Sequence, residues 1–98
     1  MTENGDESLL ELHAVVTGRV QGVGFRAAVR HQAKEQGITG IVRNLDDASV
    51  EIIAQGDRLH LEAWLSELPK NTWPARIQHI DQNFRKIHTP FTDFNIVH

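Results

Sequence analysis

The tightest constraint on this chain is one stretch, Thr17-Gly18-Arg19-Val20-Gln21-Gly22-Val23-Gly24-Phe25-Arg26, in which three glycines fall within seven residues. A strand-like run ending in Val15 and Val16 precedes it, and residues with helical spacing follow. Glycine lets a backbone reach positive φ and approach a ligand without interference from a Cβ. A helix that starts there points its unpaired N–H groups and the positive end of its dipole into the loop. Such a loop is a ready anion site. Arg26 would lie in the first turn of that helix, where a cation opposes the dipole at a cost of about 0.3–1 kcal/mol. An anion held between the amides and the guanidinium gives this placement a purpose. The competing reading is a tight strand-to-helix turn with an incidental surface arginine. No Gly-Lys-Ser/Thr follows, so this is not a Walker loop and nothing is placed to hold Mg²⁺.

The segments around the loop set its surroundings. Leu12 to Thr17 reads as a first strand, with Leu12, Ala14 and Val16 on one face. From Phe25 to about Gln36 the spacing predicts a helix whose Phe25, Ala28, Val29 and Ala33 share a stripe, closed by a C′ glycine at Gly37. Ile38 to Leu45 and Ser49 to Ala54 read as strands two and three, joined by an Asp46-Asp47-Ala48 turn. Asp57 caps a second helix with Leu61, Trp64, Leu65 and Leu68 inward, stopped at Pro69, with Lys70 to Pro74 as loop. Ala75 to Phe84 reads as a fourth strand in which Ile77 and Ile80 break the alternation, as a bulge would. Phe94 to Val97 is a short last edge strand. Trp73, a loop aromatic with no assigned role, is read as capping the edge of the core.

This order predicts an α+β fold: a two-layer ferredoxin-like sandwich, β-α-β-β-α-β plus a short terminal strand, with two helices on one face of a mostly antiparallel sheet. Strands one and two, joined through a helix, run parallel with the third between them. Their C-terminal ends share one sheet edge, so the topology brings Asn44 to the edge that carries Arg26.

Composition narrows the partners. Ninety-eight residues suit one small domain, expected over residues 9–98, while the polar, acidic residues 1–8 read as a disordered tail. The chain has no cysteine, and therefore no thiolate nucleophile or ligand. It shows neither a signal-peptide pattern nor an apolar run near the ~20 residues of a membrane span, so a cytoplasmic protein without a membrane partner is expected. The formal charge of −3 is unevenly spread. Residues 12–43 hold Arg19, Arg26, Arg30, Lys34 and Arg43 against Glu35 alone, whereas residues 44–68 hold six acids against Arg58. The positive region coincides with the glycine loop, which suits a small anion better than a nucleic acid. His13, His31, His60, His79, His88 and His98 are dispersed and read as surface residues, so no metal site is expected. No clustered aromatics mark the strands for base stacking, which disfavours an RNA-binding module.

Gly18-Arg19-Val20-Gln21-Gly22-Val23-Gly24-Phe25-Arg26 resembles the signature of the acylphosphatase family. Gly37-Ile38-Thr39-Gly40-Ile41-Val42-Arg43-Asn44 is similar to the segment that ends in that family's active-site asparagine. The resemblance spans about residues 12–97, strongly over 17–50 and loosely through Ala75-Arg76-Ile77 to the last strand. It implies hydrolysis of a small-molecule acyl phosphate to carboxylate and inorganic phosphate, without cofactor or metal. Arg26 and the backbone amides of Gln21, Gly22, Val23, Gly24, Phe25 and Arg26 would hold the phosphoryl group, Asn44 would orient the attacking water, and phosphate would inhibit as a product. A monomer is expected. The chain departs from the family where Ala48 replaces the usual turn glycine, and in its Val97-His98 ending. A non-catalytic phosphate-binding module on the same fold is the alternative.

Overall fold

Apolar residues repeat every second position in the strands and every third or fourth in the helices, and the computed structural model, which describes residues 9–98, follows that division. Its elements are β1 (Leu9–Arg19), α1 (Phe25–Glu35), β2 (Thr39–Asn44), β3 (Val50–Asp57), α2 (Arg58–Asn71), β4 (Arg76–Arg85) and β5 (Phe94–Ile96). The acidic tail expected over residues 1–8 lies outside the described residues. The strands form one sheet in the order β4-β1-β3-β2-β5. β1 is antiparallel to β3 and β4, β2 is antiparallel to β3, and among the paired neighbours β2 and β5 alone run parallel.

The core lies between the sheet and the two helices. β1 contributes Leu12, Ala14 and Val16, β3 contributes Val50, Ile52 and Ala54, and these meet Phe25, Val29 and Ala33 of α1 and Leu61, Trp64, Leu65 and Leu68 of α2. Burying each large side chain of this kind is worth roughly 1.5–3 kcal/mol. Trp64 meets Phe94 of β5 edge-on, with ring centres 6.2 Å apart. That contact fastens the last strand to the core.

The structure adjusts several expected boundaries. β1 begins earlier than expected because Leu9 and Leu10 pair with Asp57 and Gly56, which prolongs β3 as well. α2 continues past Pro69 to Asn71. A proline this close to a helix end removes one backbone hydrogen bond in the last turn and does not stop the chain from completing it. The Thr72 hydroxyl then closes the end by donating to the Leu68 carbonyl at 2.7 Å. Trp73 does not cap the core: it is 81% exposed, and Ala75 is the buried residue of that connection. The expected irregularity in β4 is present. Thr17 pairs with His79 but Gly18 pairs with Ile77, so Gln78 is the extra residue. The bulge returns both Ile77 and Ile80 to the core side. Gly18 permits it, because at its φ of 131° a Cβ would sit 2.2 Å from the Arg76 carbonyl oxygen.

A buried polar hub anchors the link between β4 and β5. The Gln55 amide donates to Glu11 at 2.8 Å and to the Thr89 carbonyl at 2.9 Å, and its oxygen accepts from the Phe91 amide at 2.8 Å. These bonds place β5 against β2, where it borders the site described next.

Candidate active site

β1 ends at the edge of the sheet, and the buried Val20 pins the chain there before it turns into α1. Gly22 and Gly24 take φ of 76° and 78°, while Val23 between them keeps a negative φ. Alternation of this sort turns successive N–H groups toward one concavity, the geometry of a backbone anion nest. Val23 packs on the core and the Phe25 ring is buried, so both residues present the main chain to the site.

α1 starts without a side-chain cap. Gly24 occupies the N-cap position in a left-handed conformation, and no acidic residue lies in the first turn. The helical ladder begins with the Ala28 amide donating to the Gly24 carbonyl at 3.0 Å. The amides of Phe25, Arg26 and Ala27 therefore have no partner inside the helix, and the dipole adds positive potential there. A cleft of about 160 Å³ opens at this point, bordered by Val20, Gly22, Gly24, Arg26 and, across it, Ile96 of β5. Among the described residues Lys34 is paired with Asp93 and Arg43 with Glu51, whereas Arg19, Arg26 and Arg30 enter no ion pair. Of these three, Arg26 borders the cleft, and its charge is left for a ligand.

Asn44 is the last residue of β2, exposed and opposite Val50 of β3. The turn after it is tightly closed. The Leu45 amide donates to the Ser49 carbonyl at 2.8 Å, and the Ala48 amide to the Leu45 carbonyl at 3.3 Å. The Asp47 carboxylate accepts from both the hydroxyl and the backbone amide of Ser49. Those bonds, the hydroxyl's first, hold its pKa below the usual carboxylate value. Asp46 and Asp47 thus belong to a turn, as their sequence context suggests. Ala48 has a φ of 75°, the left-handed conformation that favours glycine, the residue the resemblance leads one to expect there.

The two halves of the site touch through Gln21. Its side-chain amide donates to the carbonyls of Leu45 and Ser49, at 2.9 and 2.8 Å. Topology and this contact together set Asn44 and the Arg26 loop at one edge of the sheet. Neither the Gln21 side-chain contact nor the place of Ile96 is foreseen in the sequence. Both depend on tertiary placement, and only the polar character of Gln21 inside an otherwise apolar and glycine loop signals a partner. Five of the histidines are exposed as expected, but His13 is half-buried and bonded to Glu51 at 2.7 Å. Among the described residues no three His, Cys, Asp or Glu side chains converge as metal ligands.

Comparison with known proteins agrees with this fold. The family model for acylphosphatase matches residues 12–96. An acylphosphatase of Lactobacillus johnsonii is 43% identical over 84 residues, covering 85% of this chain and 92% of the relative. The crystal structure of an acylphosphatase from Bacillus subtilis superposes with a TM-score of 0.85 at 31% identity, over 91% of this chain and 99% of that one. An acylphosphatase structure from Coxiella burnetii gives the same TM-score at 30% identity, covering 99% of this chain and 100% of that one. The ferredoxin-like α+β sandwich, the glycine loop and this extent of similarity lead to one conclusion: the chain belongs to the acylphosphatase family.

Proposed function

We propose that Arg26 and the amides of residues 21–26 bind the phosphoryl group of an acyl phosphate while Asn44 orients the water that attacks it. The protein is an acylphosphatase, a hydrolase of carboxyl-phosphate anhydrides. Water oxygen bonds to phosphorus, the bond from phosphorus to the acyl oxygen breaks, and its electron pair leaves on the carboxylate. A carboxylate leaves readily because its conjugate acid has a pKa of about 4, so no strong general acid is needed. The water's proton passes to a phosphoryl oxygen of the substrate. Phosphoryl transfer of this kind asks for positioning and charge stabilisation more than for covalent catalysis.

The observation that carries the assignment is the uncapped first turn of α1, whose amides lack helical partners and whose Arg26 enters no ion pair among the described residues, all at one small cleft. A guanidinium and an array of N–H donors match the three oxygens of a phosphoryl group, and Arg binds such groups through two parallel hydrogen bonds. Asn44 offers an amide oxygen able to accept from a water and direct its lone pair at phosphorus. In this reading the enzyme is a cytoplasmic monomer, with inorganic phosphate as product and inhibitor. No described helix is long and apolar enough to cross a membrane. Sedimentation at the mass of one 11.1 kDa chain tests the monomer.

The direct test is hydrolysis of benzoyl phosphate. Wild type turns it over in the presence of a strong chelator, with competitive inhibition by inorganic phosphate. Arg26→Gln keeps the fold and loses most of the activity, by about a hundred-fold or more. Normal turnover by a folded Arg26→Gln protein contradicts the assigned role. A wild type that binds phosphate but hydrolyses nothing is a binding module instead.

A further inference from the structure

The mechanism uses only the backbone of Gln21, yet its side chain makes the one direct link between the two halves of the site. Among the described residues, no other hydrogen bond joins the segment 20–27 to the turn 44–49. The antiparallel pairing of β1 with β3 ends at Val16 and Val50, so beyond that point the sheet no longer fixes the loop against the turn. Gln21 takes over there. Its amide nitrogen carries two hydrogens, and both are directed at carbonyl oxygens, 2.9 Å to Leu45 and 2.8 Å to Ser49. Carbonyls only accept, so the nitrogen and not the oxygen of the amide must face them, and the side chain has one orientation.

Those two acceptors are not arbitrary. Leu45 follows Asn44 directly, and Ser49 precedes Val50, the residue paired with Asn44 across the hairpin. The Ser49 carbonyl also accepts from the Leu45 amide, so Gln21 adds a further rung to the β2–β3 ladder. Asp47 fixes Ser49 from the other side through its hydroxyl and amide. Asn44 itself is exposed and enters no side-chain hydrogen bond among the described residues. The location of its amide therefore depends on backbone that Gln21 clamps.

We infer that Gln21 is a positioning residue, whose side-chain amide sets the distance between the phosphoryl-binding loop and Asn44 and so acts on turnover through Asn44. This rests on the role proposed for Asn44. Gln21→Met keeps the length and bulk of the side chain and removes both donors. The variant should retain the wild-type inhibition constant for phosphate within about three-fold, because the loop amides and Arg26 remain. Its kcat should fall by about ten- to a hundred-fold, the range expected for a catalytic group misplaced by about 1 Å.

A double-mutant cycle on benzoyl phosphate hydrolysis separates this from a general structural effect. With Asn44→Ala already in place, adding Gln21→Met should lower kcat by less than two-fold. An equal loss in both backgrounds overturns the inference, and so does a phosphate affinity that falls in step with kcat. Near-normal kcat in Gln21→Met also overturns it and leaves the Asn44 proposal standing. Near-normal kcat in Asn44→Ala is the different result that removes the Asn44 role itself, and the inference with it. If Gln21→Met does not fold, Gln21→Asn provides the same comparison: it keeps the amide but is one methylene too short to reach both carbonyls.

Discussion

Ala48 shows how much one residue can reveal. Its φ of 75° places a Cβ in the left-handed region, which costs an L-residue about 1–2 kcal/mol relative to glycine. The conformation is imposed by its neighbours: Leu45 and Ser49 are hydrogen-bonded across the turn, and Asp47 holds Ser49 from within it. Ala48→Gly should therefore raise stability by about 1 kcal/mol in chemical denaturation, with part of the relief returned as greater freedom of the unfolded chain. A variant no more stable than wild type contradicts the strain. The position was legible in the sequence because the resemblance supplies a glycine there. The partners of Gln21 were not, since a side chain that bridges residues far apart in sequence leaves no periodic trace.

The β2 element carries a second feature that periodicity could not supply. On the sheet face away from the helices, Glu51 of β3 lies between His13 of β1 and Arg43 of β2, at 2.7 and 2.6 Å. Burial pushes the Glu51 pKa upward, but the hydrogen bonds from His13 and Arg43 and the charge of Arg43 outweigh it, and the group is held below its ordinary value. A carboxylate whose folded pKa lies below its unfolded value, about 4.3, contributes stability above that value and loses it as pH falls through the folded one. Glu51→Gln should then destabilise the protein by about 1–2 kcal/mol at pH 7. The gap to wild type should close as pH falls below about 4, measured by urea unfolding at each pH. A gap that does not change with pH contradicts the ion-pair account.

Element boundaries were legible to the extent that local pattern decides them. The bulge in β4 announced itself through Ile77 and Ile80, and Asp57 caps α2 with its carboxylate accepting from the His60 amide at 3.2 Å. Pro69 misled because a proline in the last turn interrupts one bond without ending the helix, and Trp73 misled because a large aromatic next to a core need not enter it. The early start of β1 follows from partners on β3, which no local window contains.

At the scale of the whole molecule, catalysis depends on topology. Arg26 and Asn44 belong to different elements, and they share an edge because β1 and β2 run in the same direction with β3 between them. Element order predicts that shared edge, and the resemblance to a known family is what singles out Arg26 and Asn44 on it. The wall provided by Ile96 could not, because the parallel pairing of β5 with β2 is set by the Trp64–Phe94 contact and the hub at Gln55. The division of labour across this edge is the central claim: one side holds the phosphoryl group and the other directs the water. Asn44→Ala measures it most directly, by steady-state hydrolysis of benzoyl phosphate with inorganic phosphate as inhibitor. Loss of an interaction made mainly in the transition state predicts a kcat lower by roughly a hundred- to a thousand-fold, with the inhibition constant for phosphate nearly unchanged. Near-normal kcat in the folded variant, or parallel loss of phosphate binding and turnover, would contradict it.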